Sequence, residues 1–273
     1  MIHVRAPASS ANLGPGFDCV AVALGLWNEL EVEEATGELP DETHLGVRAF
    51  RLLAPTKGRS FTFTDRIPLA RGLGSSAATI ALGLVAGARA AGLEPDTEEL
   101  LARGLKLEPH ADNLAAALAG GICLTWSSKG RQRLARLPGV LPLVPIALVP
   151  EARVETAAAR AILPTDVPHE DAAFTAGRAA LLGAGLASGD PELLAESFVD
   201  RLHEPYRAPH APLLDEVRAE LPRGAVGATL SGSGPTVIIW ARPNEAEACE
   251  RELNERFPLE QVLSLEVAIE GAG

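Results

Sequence analysis

The stretch Pro68-Leu69-Ala70-Arg71-Gly72-Leu73-Gly74-Ser75-Ser76-Ala77-Ala78 decides how this chain is read. Two glycines one residue apart permit backbone conformations closed to other residues. Two serines follow, and then an Ala/Leu-rich run predicts a helix over 77–91, with Gly92 placed to cap its end. A helix start exposes unpaired amides and the positive end of the helix dipole. With no side chain at 72 or 74 to keep a ligand away, the segment forms a cradle for an anion. The serine hydroxyls can add contacts to phosphate or to a metal. A glycine turn with a serine N-cap accounts for the same residues without a ligand. The lysine-bearing P-loop pattern is absent, as is the protein-kinase set of Gly-rich loop, HRD and DFG.

Two further glycine-bearing segments flank this one. Pro7-Ala-Ser-Ser-Ala-Asn12-Leu-Gly14-Pro-Gly16-Phe-Asp18 is small and polar. Asn12 offers a donor and an acceptor, and Asp18 offers an acceptor suited to an ammonium, though an Asx turn would also use them. Thr229-Leu-Ser-Gly232-Ser233-Gly234-Pro-Thr236 sits between two apolar runs and reads as a glycine-rich turn or a plain hairpin. Between them, Glu108-Pro-His110-Ala-Asp112-Asn113 puts four polar side chains before a small-residue helix expected over 113–119. Asp112 or Asn113 could serve there simply as a helix cap.

Outward from these segments the chain mixes strands and helices. Strands are expected at 2–5, 29–34, 60–64, 122–126, 143–149, 226–230, 236–241 and 261–269, with an apolar segment at 19–27. A polar turn is expected at 38–43 and a hairpin at 127–139. Helical spacing appears at 45–53, 97–105, 156–162, 172–187, 191–198, 211–221 and 244–256. The mixture predicts an α+β or α/β chain with a boundary near 140–150.

Composition narrows the partners. The 273 residues carry 24 basic and 36 acidic side chains, for a net charge of −12. No basic stripe matches what nucleic-acid binding needs, and the cluster at 129–136 reads as a solvated turn. No apolar run reaches the length of a membrane helix, and the N-terminus has no secretory pattern. Three well-separated cysteines make neither a disulfide framework nor a zinc site, which fits a reducing cytoplasm.

The three glycine-bearing segments, in this order and at this chain length, resemble those of the GHMP kinase family from Val4 to about Ala241. The segments 12–18 and 110–113, with Gly120-Gly121, are similar to those of the family's homoserine-phosphorylating branch. The resemblance implies an α+β, two-domain GHMP kinase fold. Its halves would be 1–145, similar to the second domain of ribosomal protein S5 and binding ATP, and 146–273, ferredoxin-like. It implies ATP and Mg²⁺ as cofactors, L-homoserine as small-molecule substrate and a homodimer. Residues 68–78 would bind ATP, Ser76 (or Ser75) and Glu108 would hold the metal, and Asn12, Asp18, His110, Arg160 and Arg207 would hold homoserine. Gly232, Ser233 and Gly234 would form the third glycine motif. Asn113 stands where related kinases carry a basic aspartate, with Asp112 beside it. The expectation is therefore catalysis by positioning and charge stabilisation, with the proton passing late to phosphate. Rival expectations are a mevalonate- or sugar-type kinase of the same family, a non-catalytic ligand sensor, and an RNA-binding module that the charge opposes.

Overall fold

The computed structural model describes residues 1–36, 40–138 and 141–273. The turn expected at 38–43 and the hairpin expected at 127–139 each run in part onto residues outside that set.

The chain begins with β1 (Ile2–Asn12) and β2 (Gly16–Glu34), paired antiparallel with register shifts near Pro7/Ala8 and Ala11/Asn12. Strand β1 runs well past the expected 2–5. Residues 6–12 look like a loop because they are Ala, Pro, Ser and Asn, yet all are buried. Small side chains let other elements close on both faces of the strand, and the ladder satisfies the backbone. Strand β2 unites the two expected segments. Its far half alternates Glu29, Glu31 and Glu33 with buried Leu30 and Val32, the period of a half-buried strand.

Helix α1 (Leu45–Arg51) precedes β3 (Arg59–Thr64), which pairs with that far half. Helices α2 (Ser75–Ala91), α3 (Thr97–Gly104) and α4 (Ala111–Ala119) follow. Then β4 (Ile122–Ser128) pairs with the near half of β2, and β5 (Arg131–Arg136) forms the outer edge. Lys129 and Gly130 make the exposed turn between these last two strands. Glycine caps α2 as expected: Gly92 is left-handed, with its amide on the carbonyls of Ala88 and Arg89.

The second sheet is antiparallel, in the order β7 (Ala225–Leu230), β8 (Val237–Ala241), β6 (Val144–Val149) and β9 (Gln261–Ser264). Around it lie α5 (Thr156–Ala161), α6 (His169–Ser188), α7 (Pro191–Ser197), α8 (Glu204–Arg207), α9 (Pro212–Ala219) and α10 (Ala246–Arg256). The sequence reading missed α8, a single turn. One core cluster runs from Val4 and Leu30 in the first sheet to Trp240 in the second.

The strand expected at 261–269 stops at Ser264, and the chain returns to the first sheet. Val267 bridges Leu24, and the Ala268 amide donates to Ala23 O at 3.0 Å. Ala272 donates to Ala117 O at 2.8 Å, and Gly273 exchanges two hydrogen bonds with Arg5 at 3.0 and 3.1 Å. The expected division at 145/146 falls within β6, where the chain enters the second sheet.

Candidate active site

A cleft of 520 Å³ gathers all three glycine-bearing segments and the 108–113 segment. Its floor is the start of α2. Gly72 (φ 82°) and Gly74 (φ 67°) are both left-handed. A Cβ at Gly72 would sit 2.3 Å from Ser231 O, and one at Gly74 would sit 2.1 Å from Ser9 Oγ. Position 74, rather than a serine, is the N-cap of α2, and it makes no side-chain cap bond. The Ala78 amide donates to Gly74 O at 2.9 Å, so the amides of Ser75, Ser76 and Ala77 precede the helical ladder. Among the described residues the buried Ser75 Oγ has no partner. Unpaired donors at the positive end of a 17-residue helix can receive an anion.

The third motif buttresses this floor. Ser231 Oγ donates to Gly72 O at 2.6 Å, and the Thr236 amide donates to Arg71 O at 3.3 Å. Ser9, which the sequence reading did not single out, ties β1 to both neighbours. Its amide donates to Leu73 O at 3.1 Å and its hydroxyl to Asn113 Oδ1 at 2.8 Å.

Above the cradle stands Glu108, with Oε2 3.5 Å from Ser76 Oγ. Its other oxygen is bonded to His110 Nδ1. That bond holds the Glu108 carboxyl below its ordinary range and pushes the His110 imidazole up. Glu108 and Ser76 supply two hard oxygens beside the cradle, a donor set suited to a magnesium ion that completes its shell with phosphate and water. Among the described residues, no group of three or more His, Cys, Asp or Glu could hold a metal without such help.

Asp112 and Asn113 open α4. Asp112 is 4% exposed, and burial pushes its carboxyl up to about 6 even though Oδ1 accepts the Asn113 amide at 2.7 Å. The helix cap is His110, not either of these residues, and it makes no side-chain cap bond.

The far end of the cleft is charged. Asp18 takes φ 57°, a left-handed conformation that aspartate adopts more readily than most residues, and its amide donates to Asn12 Oδ1 at 3.1 Å. Asn12 Nδ2 donates to Gly232 O at 2.9 Å, so its amide braces the turn where the first and third motifs meet. The Asp18 carboxylate grips Arg160 through two bonds of 2.6 and 3.0 Å, and this pairing raises the guanidinium's affinity for its proton. The Arg160 and Arg207 guanidiniums both lie over the Phe17 ring, at 5.5 and 5.3 Å. Arg207 is 2% exposed, and burial lowers its pKa.

The cleft also takes in residues the sequence reading passed over as site members. His44 caps α1, accepting the Gly46 amide at 3.2 Å, and its ring meets Phe63 at 4.0 Å. Leu45, Asp65 and Thr79 line the wall with it. Hydrophobic spacing marks α1 in the sequence, but nothing local marks its N-cap as a cleft residue.

The two-sheet fold and this cleft, whose glycine cradle carries no lysine, fit a small-molecule kinase. Residues 44–121 match the GHMP kinases N terminal domain, and residues 176–259 match the GHMP kinases C terminal domain. The homoserine kinase of Streptomyces coelicolor is 41% identical over 91% of this chain and 87% of its own length. That of Gloeobacter violaceus is 40% identical, over 93% and 92%. The crystal structure of homoserine kinase from Cytophaga hutchinsonii superposes with a TM-score of 0.88 at 27% identity, covering all of this chain and 96% of that one. The chain belongs to the GHMP kinase family, whose members use ATP. Among the described residues, no helix is long and apolar enough to cross a membrane.

Proposed function

We propose that the protein transfers the γ-phosphoryl group of ATP to the side-chain hydroxyl of L-homoserine, giving ADP and O-phospho-L-homoserine, a step of threonine biosynthesis. The observation that carries the choice of substrate is the Asp18–Arg160 pair, opposite charges side by side in the cleft that holds the cradle. A zwitterionic amino acid offers a charge to each partner, whereas mevalonate offers only a carboxylate and a neutral sugar offers neither charge.

In this reading the amides and hydroxyls of 72–76 hold the triphosphate, with the adenine toward His44 and Leu45. Mg²⁺ at Ser76 and Glu108 would neutralise charge on the phosphate oxygens. Asp18 takes the ammonium. Arg160 and Arg207 take the carboxylate, for which a forked donor suits two oxygens. His110 and Asn12 frame the pocket. The half 1–145 supplies cradle and metal ligands, and the half 146–273 supplies both arginines. A loose transition state needs the hydroxyl aligned with the phosphorus more than it needs an early base, so Asn113 and Asp112 act by positioning. We further infer a cytoplasmic homodimer, which sedimentation would check.

An ADP-release assay with homoserine, serine, threonine, mevalonate and galactose tests the reading. Homoserine should give the highest kcat/KM. Faster turnover of mevalonate or galactose would overturn it in favour of the other family activities.

A further inference from the structure

Three sides of the Arg207 guanidinium are already engaged within the protein. Nε donates to Ala159 O at 3.3 Å, and Nη1 donates to Gly232 O and to His203 Nδ1, both at 3.1 Å. Among the described residues Nη2 has no protein acceptor, and the side chain lines the cleft. His203 does not reach the cleft and is fully buried. Its other ring nitrogen, Nε2, lies 2.8 Å from Gly14 O.

These partners fix the ring's chemistry. A guanidinium can only donate, so Nδ1 is an acceptor; a carbonyl can only accept, so Nε2 carries the proton. The imidazole is therefore the neutral Nε2–H tautomer. Asp200 comes within 3.7 Å of Nε2, too far for a hydrogen bond. Its oxygens are taken by the amides of Leu202, His203 and Glu204 at 3.0, 2.7 and 2.9 Å. The neighbouring Glu204 is occupied by the Leu230 amide and Arg218. Phe17 stacks on the imidazole at 4.8 Å and 19°, and its ring also lies against both guanidiniums. The two ring nitrogens are engaged one by each segment that shapes the charged end of the cleft, so the ring couples those segments.

We infer that His203 is a positioning residue for the reaction proposed above. Its Nδ1 orients Arg207 so that Nη2 faces the cleft, and its Nε2–H fixes the 12–18 turn that carries Asp18. The inference rests on reading this end of the cleft as the homoserine pocket.

Two substitutions separate the two bonds. In His203→Asn the amide oxygen can take the place of Nδ1, keeping the acceptor for Arg207 while losing Gly14. In His203→Gln the longer amide can reach Gly14 O but leaves Arg207 without its acceptor. His203→Gln should raise the homoserine KM about tenfold or more, the order expected when a hydrogen bond to a charged group is lost. His203→Asn should raise it severalfold less, and the ATP KM should stay within about twofold in both. In an Arg207→Gln background, His203→Gln should add little, because the two side chains act as one unit. Equal effects of the two substitutions, a parallel rise in the ATP KM, or fully additive losses with Arg207→Gln would each overturn the inference. Should the variants not fold, long-range nitrogen–proton NMR of the wild-type histidines reads the tautomer directly. A buried histidine protonated at Nε2 is expected, and its absence overturns the inference as well. Failure of the wild type to phosphorylate homoserine would count instead against the proposed function, and the tautomer measurement stands apart from it.

Discussion

Asp18 and Arg160 hold each other through two hydrogen bonds, with both side chains partly open to solvent. An exposed pair adds little to stability, so its interest lies in what can replace it. Homoserine can exchange it bond for bond, offering an ammonium to one partner and a carboxylate to the other. An alcohol with a single charge must leave one partner uncompensated. Asp18→Asn should therefore raise the homoserine KM by about tenfold or more. It should also narrow the preference for homoserine over 4-hydroxybutyrate, which has the carboxylate without the ammonium. Unchanged discrimination between the two would show that the pair does not select the substrate. Asp112 makes a different prediction. Its folded carboxyl titrates near 6, above the unfolded value of 3.8. At pH 7 it is ionised in both states and pays for burial. As pH falls through 6 the folded protein takes up a proton ahead of the unfolded chain, and the penalty fades. About two pKa units correspond to roughly 3 kcal/mol at most. Asp112→Asn should thus raise the Tm more at pH 7 than at pH 5. A titration point near 6 would also suit a general base, which typically contributes about 10²–10⁴-fold. A smaller fall in the single-turnover rate of Asp112→Asn is the outcome expected for a positioning role. At this scale the sequence exposed Asp18 and Glu108, which stand in segments of glycine and clustered polar residues, while Arg160 and Arg207 were pointed to only by the family resemblance. It hid Ser9 and His203, whose parts depend on contacts with Asn113 and Gly14 far along the chain.

Among the elements, α2 was the most legible, since a glycine pair, an Ala/Leu run and a capping glycine all pointed to one helix. Strand β1 was legible only over its first residues. Its buried half is built from small residues because α2 and α4 pack on one face and the third motif reaches the other, where Ser231 Oγ meets Ser10 Oγ at 2.9 Å. No local pattern announces a strand covered on both sides by partners distant in sequence. The tight fit at the cradle has a measurable consequence. Gly74→Ala puts a methyl group into a left-handed position where the Ser9 hydroxyl lies 2.1 Å away. Relief would break the Ser9–Asn113 bond and shift the start of α2. The ATP KM should rise by about tenfold or more with a fall in Tm, while Gly92→Ala should cost only about 1 kcal/mol, since nothing lies near its Cβ. Similar ATP affinity in the two variants would mean that the cradle tolerates displacement.

Across the whole molecule, one core joins the two sheets. Trp240 is fully buried, stacks on Phe198 at 5.4 Å and donates from Nε1 to Thr229 Oγ1 at 2.9 Å. Trp240→Ala should cost about 3–5 kcal/mol in denaturant unfolding. A loss under about 1 kcal/mol would mean that the core collapses around the gap. The returning segment 265–273 binds the halves a second time. A Cβ at Gly120 (φ 68°) would sit 2.4 Å from Ile269 O, and one at Gly271 would sit 2.1 Å from Leu118 O. Gly120→Ala should thus destabilise by about 2 kcal/mol or more, because the new methyl group would meet backbone atoms that cannot swing aside. This return path also bears on the order in which the protein can be made. Strands β1, β2 and β4 leave the ribosome early, but the Ala23 and Ala117 carbonyls and the Gly25 amide find their partners only in residues 266–272, made long after them. A nascent chain halted before residue 265 would carry a first sheet with a bare seam, open to another chain's backbone. Completion of the half that carries the cradle in this way waits for residues 265–273 to be made, even though every residue of the cradle itself is made long before.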